Sequence, residues 1–307
     1  MPKKPTPLIK NMGASVRTRL LNRASVRTRL LNLSKERRQP FDLLLNNYVL
    51  ERLLYRLSQT KHCDRFILKG EMLLTKWFED PLRPTRDLDF LATGKDDQED
   101  MVRIFQEICM VSLNDGVVFE SNSVKVHRIR EETECGGLRI TANATIETAK
   151  IRIVIDIAFG DSVEPGLQEM DLPVLLDFRA PHLRAYARET VIAENFQAMV
   201  MLRRANSRMK DLYDVLVLSR NFEFKNDKLP RAITATFARR KTEIPPSAPD
   251  ALTTAFAEDP TKIQQRNSFV EDVAFRPGTL ADVVKDLSAF LMPHASAARS
   301  LGKTGLA

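Results

Sequence analysis

Two acidic residues separated by a single position, Asp87 and Asp89, have the spacing that chemistry on a phosphate would need. In an extended strand alternate side chains share a face, so both carboxylates point the same way while Leu88 and Phe90 point into a core. Two neighbouring carboxylates repel each other unless a cation lies between them. Carboxylate oxygens are ligands of Mg2+ and Mn2+, so the pair predicts a divalent metal site.

A third carboxylate, Asp156, interrupts an otherwise apolar strand pattern. Isoleucines alternate through residues 150–159, and Asp156 falls on the opposite face from them. A carboxylate in so apolar a run is costly unless it is paired or bound to a metal. We therefore predict Asp156 as the third metal ligand. Gly70, directly after an apolar run at 65–69, can let the backbone approach a phosphate closely.

Three carboxylates from two strands, with a glycine turn ahead of the first pair, suit metal-assisted phosphoryl or nucleotidyl transfer. One metal would lower the pKa of an attacking hydroxyl, and a second would hold a triphosphate. The sequence has no Gly-x-x-x-x-Gly-Lys-Ser/Thr phosphate loop, no kinase signature set and no Ser/His/Asp nucleophile arrangement. The sequence therefore excludes a P-loop NTPase, a protein kinase and a hydrolase with a Ser/His/Asp triad.

Each motif taken alone has an ordinary structural explanation. An Asp-x-Asp pair on a surface strand is usually just solvated. Lys210, Asp211 and Asp214 fall within about one helical turn, a spacing that usually marks a salt-bridged helix face. Their occurrence together with Gly70 and Asp156 favours the transferase interpretation.

The elements that must position these residues follow from hydrophobic periodicity. An amphipathic helix at 40–58 precedes a region that mixes strands and helices, and the pattern after Pro181 is helical. The predicted strands are 65–69, 87–92, 117–120, 124–131, 137–147 and 150–159. The predicted helices are 71–78, 98–110, 188–206, 207–220 with Ser207 as N-cap, 228–240, 261–275 and 279–292.

This order of elements predicts a chain of four parts. Residues 1–60 form a basic helical segment and residues 61–182 the domain that carries the three carboxylates. Residues 183–292 form a helical domain, and residues 293–307 form a disordered tail.

The basic N-terminal segment contains a ten-residue tandem repeat, residues 14–23 and 24–33, whose copies differ only in the last residue. A ten-residue period rotates the second copy by roughly 280° about a helix axis, so the two Leu-Leu pairs cannot face one core side. We interpret the repeat as a duplication of coding sequence. One copy should dock, and the other should project or extend the helix.

The net charge and the positions of the cysteines indicate the kind of partner and compartment to expect. The net charge of +7 is a weak indication of a polyanionic partner, because a solvated basic helix face explains the N-terminal arginines equally well. Cys63, Cys109 and Cys135 lack metal-ligand spacing, which predicts free thiols in a reducing compartment. No apolar run reaches the roughly 18 residues that span a bilayer, and the N-terminus lacks an apolar signal segment. We therefore expect a cytoplasmic protein without a membrane partner.

Four motifs occur in an order that resembles the AbiEii/AbiGii toxin family of nucleotidyltransferases. They are Leu68-Lys69-Gly70, Arg83-Pro84-Thr85-Arg86-Asp87-Leu88-Asp89, Ile155-Asp156-Ile157-Ala158-Phe159-Gly160-Asp161 and Asn206-Ser207-Arg208-Met209-Lys210-Asp211-Leu212-Tyr213-Asp214. The resemblance covers about residues 14–292. It implies an α+β fold, in which a polymerase-β-like nucleotidyltransferase domain with a mixed sheet is followed by a helical C-terminal domain.

The resemblance also implies a function. The family supplies toxins of toxin–antitoxin and phage-abortive-infection systems, and we expect a cognate antitoxin as partner. The expected reaction uses Mg2+ or Mn2+ and moves a nucleoside monophosphate from an NTP to an RNA 3′ end, with the tRNA acceptor end as the expected target. Two alternatives stay open: transfer to a protein hydroxyl, and a catalytically weakened nucleotide-binding or interaction protein.

Residue roles are carried over from the family by motif. Asp87 and Asp89 match metal ligands, and Asp156 matches the strand carboxylate. The resemblance further implies nucleotide contacts at Gly70, Thr85, Asn195, Arg208 and Lys210, and a later acidic motif at Asp211 and Asp214 of which one is essential.

Two positions depart from the family pattern. Asn195 stands where the family usually has a lysine that contacts the nucleotide phosphates, and Glu71 follows Gly70 where a small residue is usual. A charge pair at about 4 Å is worth roughly 4 kcal/mol near a protein surface, so both changes predict an attenuated or inactive enzyme. A basic residue such as Arg203 or Arg204 would have to replace the missing lysine.

Overall fold

The computed structural model describes residues 25–78, 87–129, 136–160, 163–224, 226–271, 273 and 275–303. The helices are α1 (Val26–Arg37), α2 (Phe41–Ser58), α3 (Met72–Trp77), α4 (Gln98–Met110), α5 (Arg188–Leu202), α6 (Met209–Asn221), α7 (Lys228–Arg239), α8 (Thr254–Ala257), α9 (Pro260–Glu271) and α10 (Leu280–Lys303). The strands are β1 (Phe66–Lys69), β2 (Asp87–Ala92), β3 (Val118–Ile129), β4 (Gly137–Ile146), β5 (Ala149–Phe159), β6 (Gln168–Asp171) and β7 (His182–Ala185).

All seven strands form one mixed sheet in the order β3-β4-β5-β2-β1-β7-β6. The pairs β2–β5 and β1–β7 are parallel, and the other four pairs are antiparallel. From α5 onward the described chain is helical. The predicted α+β class, with a mixed sheet followed by helices, is confirmed.

The core joins the sheet to helices from both ends of the chain. Alternate isoleucines of β5 are fully buried, whereas Asp156 between them is only partly covered. One apolar cluster extends without interruption from Leu30 of α1 to Ala298 of α10. Because strand and helix side chains share this cluster, the sheet that carries the carboxylates is held rigidly against the helical part.

The second copy of the tandem repeat forms α1 and docks on the body of the protein. Ser25 caps the helix with its hydroxyl, and Leu30 is fully buried. Arg29 pairs with Asp177 and lies over the ring of Phe178 at 5.8 Å. The prediction that one copy docks is therefore confirmed, while the first copy lies outside the described residues.

The C-terminal segment differs from the prediction. Helix α10 continues through Pro293 to Lys303, so a disordered tail from residue 293 is wrong up to that point. The reason is close packing of small residues, because Ala295 and Ala298 are fully buried and the Thr234 hydroxyl of α7 donates to the Ala298 carbonyl at 3.1 Å. This packing offsets the backbone hydrogen bond that a proline inside a helix cannot make.

Two further elements differ in extent. β3 is one strand rather than the two predicted at 117–120 and 124–131, and its pairing with β4 shifts register between Glu120 and Lys125. Such an irregularity lets a strand continue past a local mismatch. Helix α5 ends at Leu202 rather than at residue 206, because Arg203 adopts a left-handed φ of 49°.

Cys63 and Cys109 are free thiols, as predicted for these two residues. Within the part of the chain that the structure describes, no helix is both long enough and apolar enough to cross a membrane.

Candidate active site

A row of polar side chains crosses five adjacent strands on one face of the sheet. Lys69 on β1 pairs with Asp89 on β2, and Asp89 pairs with Asp156 on β5. Asp156 pairs with Arg139 on β4, which pairs with His127 on β3. Residues paired directly across strands point to the same face, so these five residues form a line that we call the polar row.

The polar row brings together two of the three predicted metal ligands. Asp89 and Asp156 are neighbours on parallel strands. Asp87 lies two residues before Asp89 on β2 and therefore shares its face. The sequence predicted this common face for Asp87 and Asp89, but the pairing of Asp89 with Asp156 depends on strand order.

Gly70 makes the turn that leads from β1 into α3, directly beside the polar row. Its φ is +72°, and a Cβ atom at this position would lie only 2.2 Å from Oδ2 of Asp89. Only glycine fits both this backbone conformation and this space. The backbone therefore passes close to the Asp89 carboxylate, and a contact between Gly70 and a phosphate remains a prediction.

The surroundings of Asp89 favour its neutral form. Burial is the largest cause that raises the pKa of this carboxyl, and the negative charges of Asp156 and Asp87 raise it further. The positive charges of Lys69 and Lys210 act in the opposite direction. Burial therefore outweighs the two lysines and makes the ionised form of Asp89 costly.

Asp156 is held by Arg139 through two parallel hydrogen bonds. Nε and Nη2 of Arg139 each donate to a different carboxylate oxygen of Asp156, both at 2.7 Å. This hydrogen bonding raises the pKa of the Arg139 guanidinium, with the negative charges of Asp156, Asp87 and Asp89 adding to the effect. Arg139 was not predicted from the sequence, because its place opposite Asp156 depends on which strands are neighbours in the sheet.

The predicted metal ligands lie on one face of the sheet but are not closely grouped. Among the described residues no three His, Cys, Asp or Glu side chains are grouped tightly enough to hold an ion as they stand. The donor chemistry nevertheless fits Mg2+ or Mn2+, because Asp87, Asp89 and Asp156 offer oxygens on one face and burial makes the ionised form of Asp89 costly without a cation.

A cavity of about 430 Å3 opens beside Asp89, between the turn after β1 and helices α5 and α6. Of the residues predicted from sequence, it brings together Gly70, Asp89, Asn195, Arg208, Lys210, Asp211 and Asp214. Asp87 and Asp156 are not part of its lining, and Thr85 lies outside the described residues. Both departures from the family pattern, Glu71 and Asn195, line this cavity.

The turn between α5 and α6 positions the basic side chains of the later motif. Asn206 is fully buried, and its Oδ1 accepts a hydrogen bond from the Arg208 backbone N–H at 2.9 Å. The predicted N-cap Ser207 is wrong, since α6 begins at Met209 with Arg208 as its N-cap. The reason is that the Asn206 side chain, rather than a serine hydroxyl, satisfies the backbone here.

The acidic pair of α6 lies under this turn. Asp211 and Asp214 are only 2% and 6% exposed, although the sequence pattern would also have suited a solvated helix face. Arg208 Nε lies 2.8 Å from Oδ2 of Asp211. Negative charge near a helix N-terminus is favoured by the helix dipole, which helps to offset the burial of these carboxylates.

Glu194 contacts three residues that lie far apart from one another or from Glu194 in the sequence: Lys69, Tyr186 and Arg240. Its carboxylate lies 3.2 Å from Lys69 Nζ and 3.2 Å from Arg240 Nη2, and it accepts a hydrogen bond from the Tyr186 hydroxyl at 3.1 Å. The only sequence signal was its position beside Asn195. Arg240 thus provides a cation in the same cavity as Asn195, where the family's lysine is missing.

Comparison with known proteins gives the family. The profile of the nucleotidyl transferase AbiEii toxin family of type IV toxin–antitoxin systems matches residues 52–291. The crystal structure of JHP933 from Helicobacter pylori has 16% sequence identity and a TM-score of 0.47, covering 86% of this chain and 95% of that one. A second H. pylori structure, of a protein provisionally assigned as a nucleotidyltransferase, has 16% identity and a TM-score of 0.45, covering 86% and 97%.

A search of curated proteins found no significant match. The family profile spans well over half of the chain and includes every residue of the predicted site. The chain therefore belongs to the AbiEii family of type IV toxin–antitoxin systems and is a nucleotidyltransferase.

Proposed function

We propose that this protein transfers a nucleoside monophosphate from an NTP to the 3′-hydroxyl of an RNA, with the tRNA acceptor end as its target and Mg2+ or Mn2+ as its metal. The observation that carries this proposal is the polar row next to the cavity. It sets Asp89 and Asp156 side by side at the edge of a space lined by Lys69, Arg208 and Lys210.

Asp87, Asp89 and Asp156 are the residues that would hold the metal. When bound, the metal supplies charge stabilisation at the reacting phosphate and activates the attacking hydroxyl. The cations along the cavity, Lys210 and Arg240, would neutralise the triphosphate and orient it.

The proposed reaction balances as a substitution at phosphorus. The RNA 3′-hydroxyl oxygen forms a bond to the α-phosphorus of the NTP, and the bond from that phosphorus to the β-phosphate oxygen breaks. Pyrophosphate leaves, and the hydroxyl proton passes to solvent through a carboxylate of the site. The protein contributes position and charge rather than a covalent intermediate.

A groove of about 540 Å3 that shares Arg208 and Lys210 with the cavity supports RNA as the acceptor. Its other wall is α9, which contributes the side chains of Gln264, Gln265 and Ser268. Cations suit the phosphates of a nucleic acid, and amides and hydroxyls suit phosphate and sugar oxygens. An acceptor strand in this groove would lead directly into the cavity.

A catalytically weakened enzyme is the second candidate. Glu71 and Asn195 both line the cavity, so the anion and the missing cation would act on the same bound triphosphate. Arg240 lies in the same cavity, where it pairs with Glu194 next to Asn195, and it is one cation that could compensate for both changes. The toxin role itself implies a cognate antitoxin, which is expected to oppose this activity.

The test is incubation of the purified protein with each labelled NTP, Mg2+, and either total tRNA or total protein. Label on tRNA supports the proposal, and label on protein instead supports nucleotidylation of a protein hydroxyl. NTP binding without any transfer supports the weakened enzyme. Transfer that persists in Asp87→Ala would contradict the assignment of the site.

A further inference from the structure

The ion pair between Arg139 and Asp156 involves both oxygens of a carboxylate that is also a predicted metal ligand. Both oxygens of Asp156 accept hydrogen bonds from the guanidinium, at 2.7 Å each. The two residues are direct cross-strand partners on β4 and β5, so the sheet register keeps them together. Planar, bidentate pairs of this kind are stronger and more specific than a contact with a lysine.

Arg139 can leave this position without disturbing the core. Its side chain is 46% exposed, whereas the Asp156 side chain is 24% exposed. The strand around it is held by β3 and β5, and the neighbouring Leu138 and Ile140 are fully buried on the opposite face. The guanidinium is therefore a surface group attached to a rigid strand, free to rotate away from its partner.

The charges of the polar row explain why a cation is present there. Asp89 and Asp156 are adjacent, and two carboxylates that close repel each other. Lys69 lies on the Asp89 side and Arg139 on the Asp156 side, so the two carboxylates have one cation on each side. Lys69 also interacts with Glu194, whereas Arg139 makes both of its hydrogen bonds in this row to Asp156.

We propose that Arg139 is a displaceable counter-ion that competes with the divalent metal for Asp156, and that it thereby keeps metal affinity low until the NTP arrives. This inference rests on the metal site of the proposed function. Arg139 is a positioning residue in this account, because it acts through Asp156. When the metal arrives together with the NTP, the combined binding free energy displaces the guanidinium, and metal and nucleotide bind cooperatively.

The experiment measures Mn2+ binding by electron paramagnetic resonance with and without a non-hydrolysable NTP analogue. The variants are Arg139→Gln, Arg139→Lys and, as a matched control, Arg152→Gln. Arg152 is exposed, lies four residues before Asp156 on the same face of β5, and pairs with Asn143. Its replacement removes the same charge without touching Asp156.

We expect Arg139→Gln to lower the Mn2+ Kd of the nucleotide-free protein by about tenfold or more, because a full charge beside the ion is removed. Arg152→Gln should stay within about twofold of wild type, since its charge lies further away and is exposed to solvent. Arg139→Lys keeps the charge but loses the bidentate geometry, and its Kd should lie between the two. The NTP analogue should reduce the difference in Mn2+ Kd between Arg139→Gln and wild type.

Equal Mn2+ affinity in Arg139→Gln and Arg152→Gln would overturn the role of Arg139 while leaving the metal site intact. Absence of Mn2+ binding in all variants, even with the analogue, would overturn the metal site of the proposed function itself. Circular dichroism of each variant verifies that the sheet is folded before its affinity is compared.

Discussion

The carboxylate of Asp89 lies between Lys69 and Asp156 in the sheet register, with the turn at Gly70 packed against it. Burial and two neighbouring carboxylates raise its pKa, so its ionised form is costly in the absence of a bound cation. A carboxyl group whose pKa is shifted by burial is a common feature of functional sites.

Replacing Asp89 with asparagine should separate stability from activity. We expect Asp89→Asn to increase the free energy of unfolding at pH 7, because burial disfavours the ionised carboxylate and asparagine is a neutral isostere. Nucleotide transfer should fall by at least about a hundredfold, since a predicted metal ligand is lost. Urea denaturation and the labelled-NTP assay measure the two effects.

The matched change Asp156→Asn should instead lower stability, because it leaves the Arg139 guanidinium without its ionised partner. Loss of stability in Asp89→Asn as large as that in Asp156→Asn would contradict this account of Asp89.

Asn195 offers a second prediction at the scale of one residue. Asn195→Lys restores a cation to the cavity, and we expect it to increase the transfer rate by about tenfold or more through contact with the triphosphate. Asn195→Gln, which lengthens the side chain without adding charge, is the control and should give no increase. If wild type transfers nucleotide as fast as Asn195→Lys, the enzyme is not attenuated at this position.

At the scale of elements, α2 carries a buried ionic cluster beneath the loop before β7. Glu51 is 5% exposed, and its carboxylate lies 2.9 Å from Arg52 Nη2 and accepts a hydrogen bond from the Leu175 N–H at 2.7 Å. Burial raises the pKa of Glu51 from 4.5 to about 7, although Arg52 and the Leu175 hydrogen bond oppose the rise.

This shift makes stability depend on pH. The folded protein binds a proton at Glu51 more tightly than the unfolded chain does. The stabilisation that this proton gives to the fold is therefore complete below pH 4.5 and is lost as pH rises toward 7. The lost contribution is about 3 kcal/mol, since one pKa unit corresponds to about 1.4 kcal/mol.

Glu51→Gln should remove this dependence. We expect urea midpoints of wild type to fall between pH 5 and pH 8 more steeply than those of Glu51→Gln, which keeps an acceptor for the Leu175 N–H. Glu36→Gln, at an exposed position of α1, is the control and should follow wild type. Parallel pH profiles for all three proteins would exclude Glu51 as the titrating group.

At the scale of the whole molecule, the cavity beside Asp89 and the groove against α9 share Arg208 and Lys210 in their linings. The sheet provides the carboxylates, and the helical part provides the basic residues and the second wall of the groove. The relative position of the carboxylates and the basic residues therefore depends on the packing of both parts in one apolar cluster.

Adding negative charge to the α9 wall of the groove should weaken the binding of the tRNA acceptor but not the binding of the NTP. We expect the double change Gln264→Glu and Ser268→Glu to raise the KM for tRNA by about tenfold at low salt, while the KM for NTP stays unchanged. Asn267→Glu places a charge on the same helix outside the groove lining and is the control. An equal rise of the KM for tRNA in the control Asn267→Glu would contradict the groove as the acceptor site. So would a change in the KM for NTP alone.

Local sequence determined the elements and the chemical character of the site. The limits of β2 and α4 were predicted to the residue, because alternation and amphipathic spacing report which face of an element is buried. The same rules predicted that Asp87 and Asp89 share a face and that Asp156 opposes the isoleucines. The tail beyond Pro293 was mispredicted because a proline is a local signal, whereas the burial of Ala295 and Ala298 depends on a distant helix.

Only the tertiary structure decided which residues meet. Strand order pairs Asp89 with Asp156 and Asp156 with Arg139, and no local pattern encodes the order of strands in a sheet. Packing of helix on sheet likewise brings Glu194 to Lys69 and Arg240. The sequence therefore determined the types and spacing of Asp87, Asp89 and Asp156, from which a cation site is predicted. The fold decided that, when no metal is bound, the cation held by Asp156 is the guanidinium of Arg139.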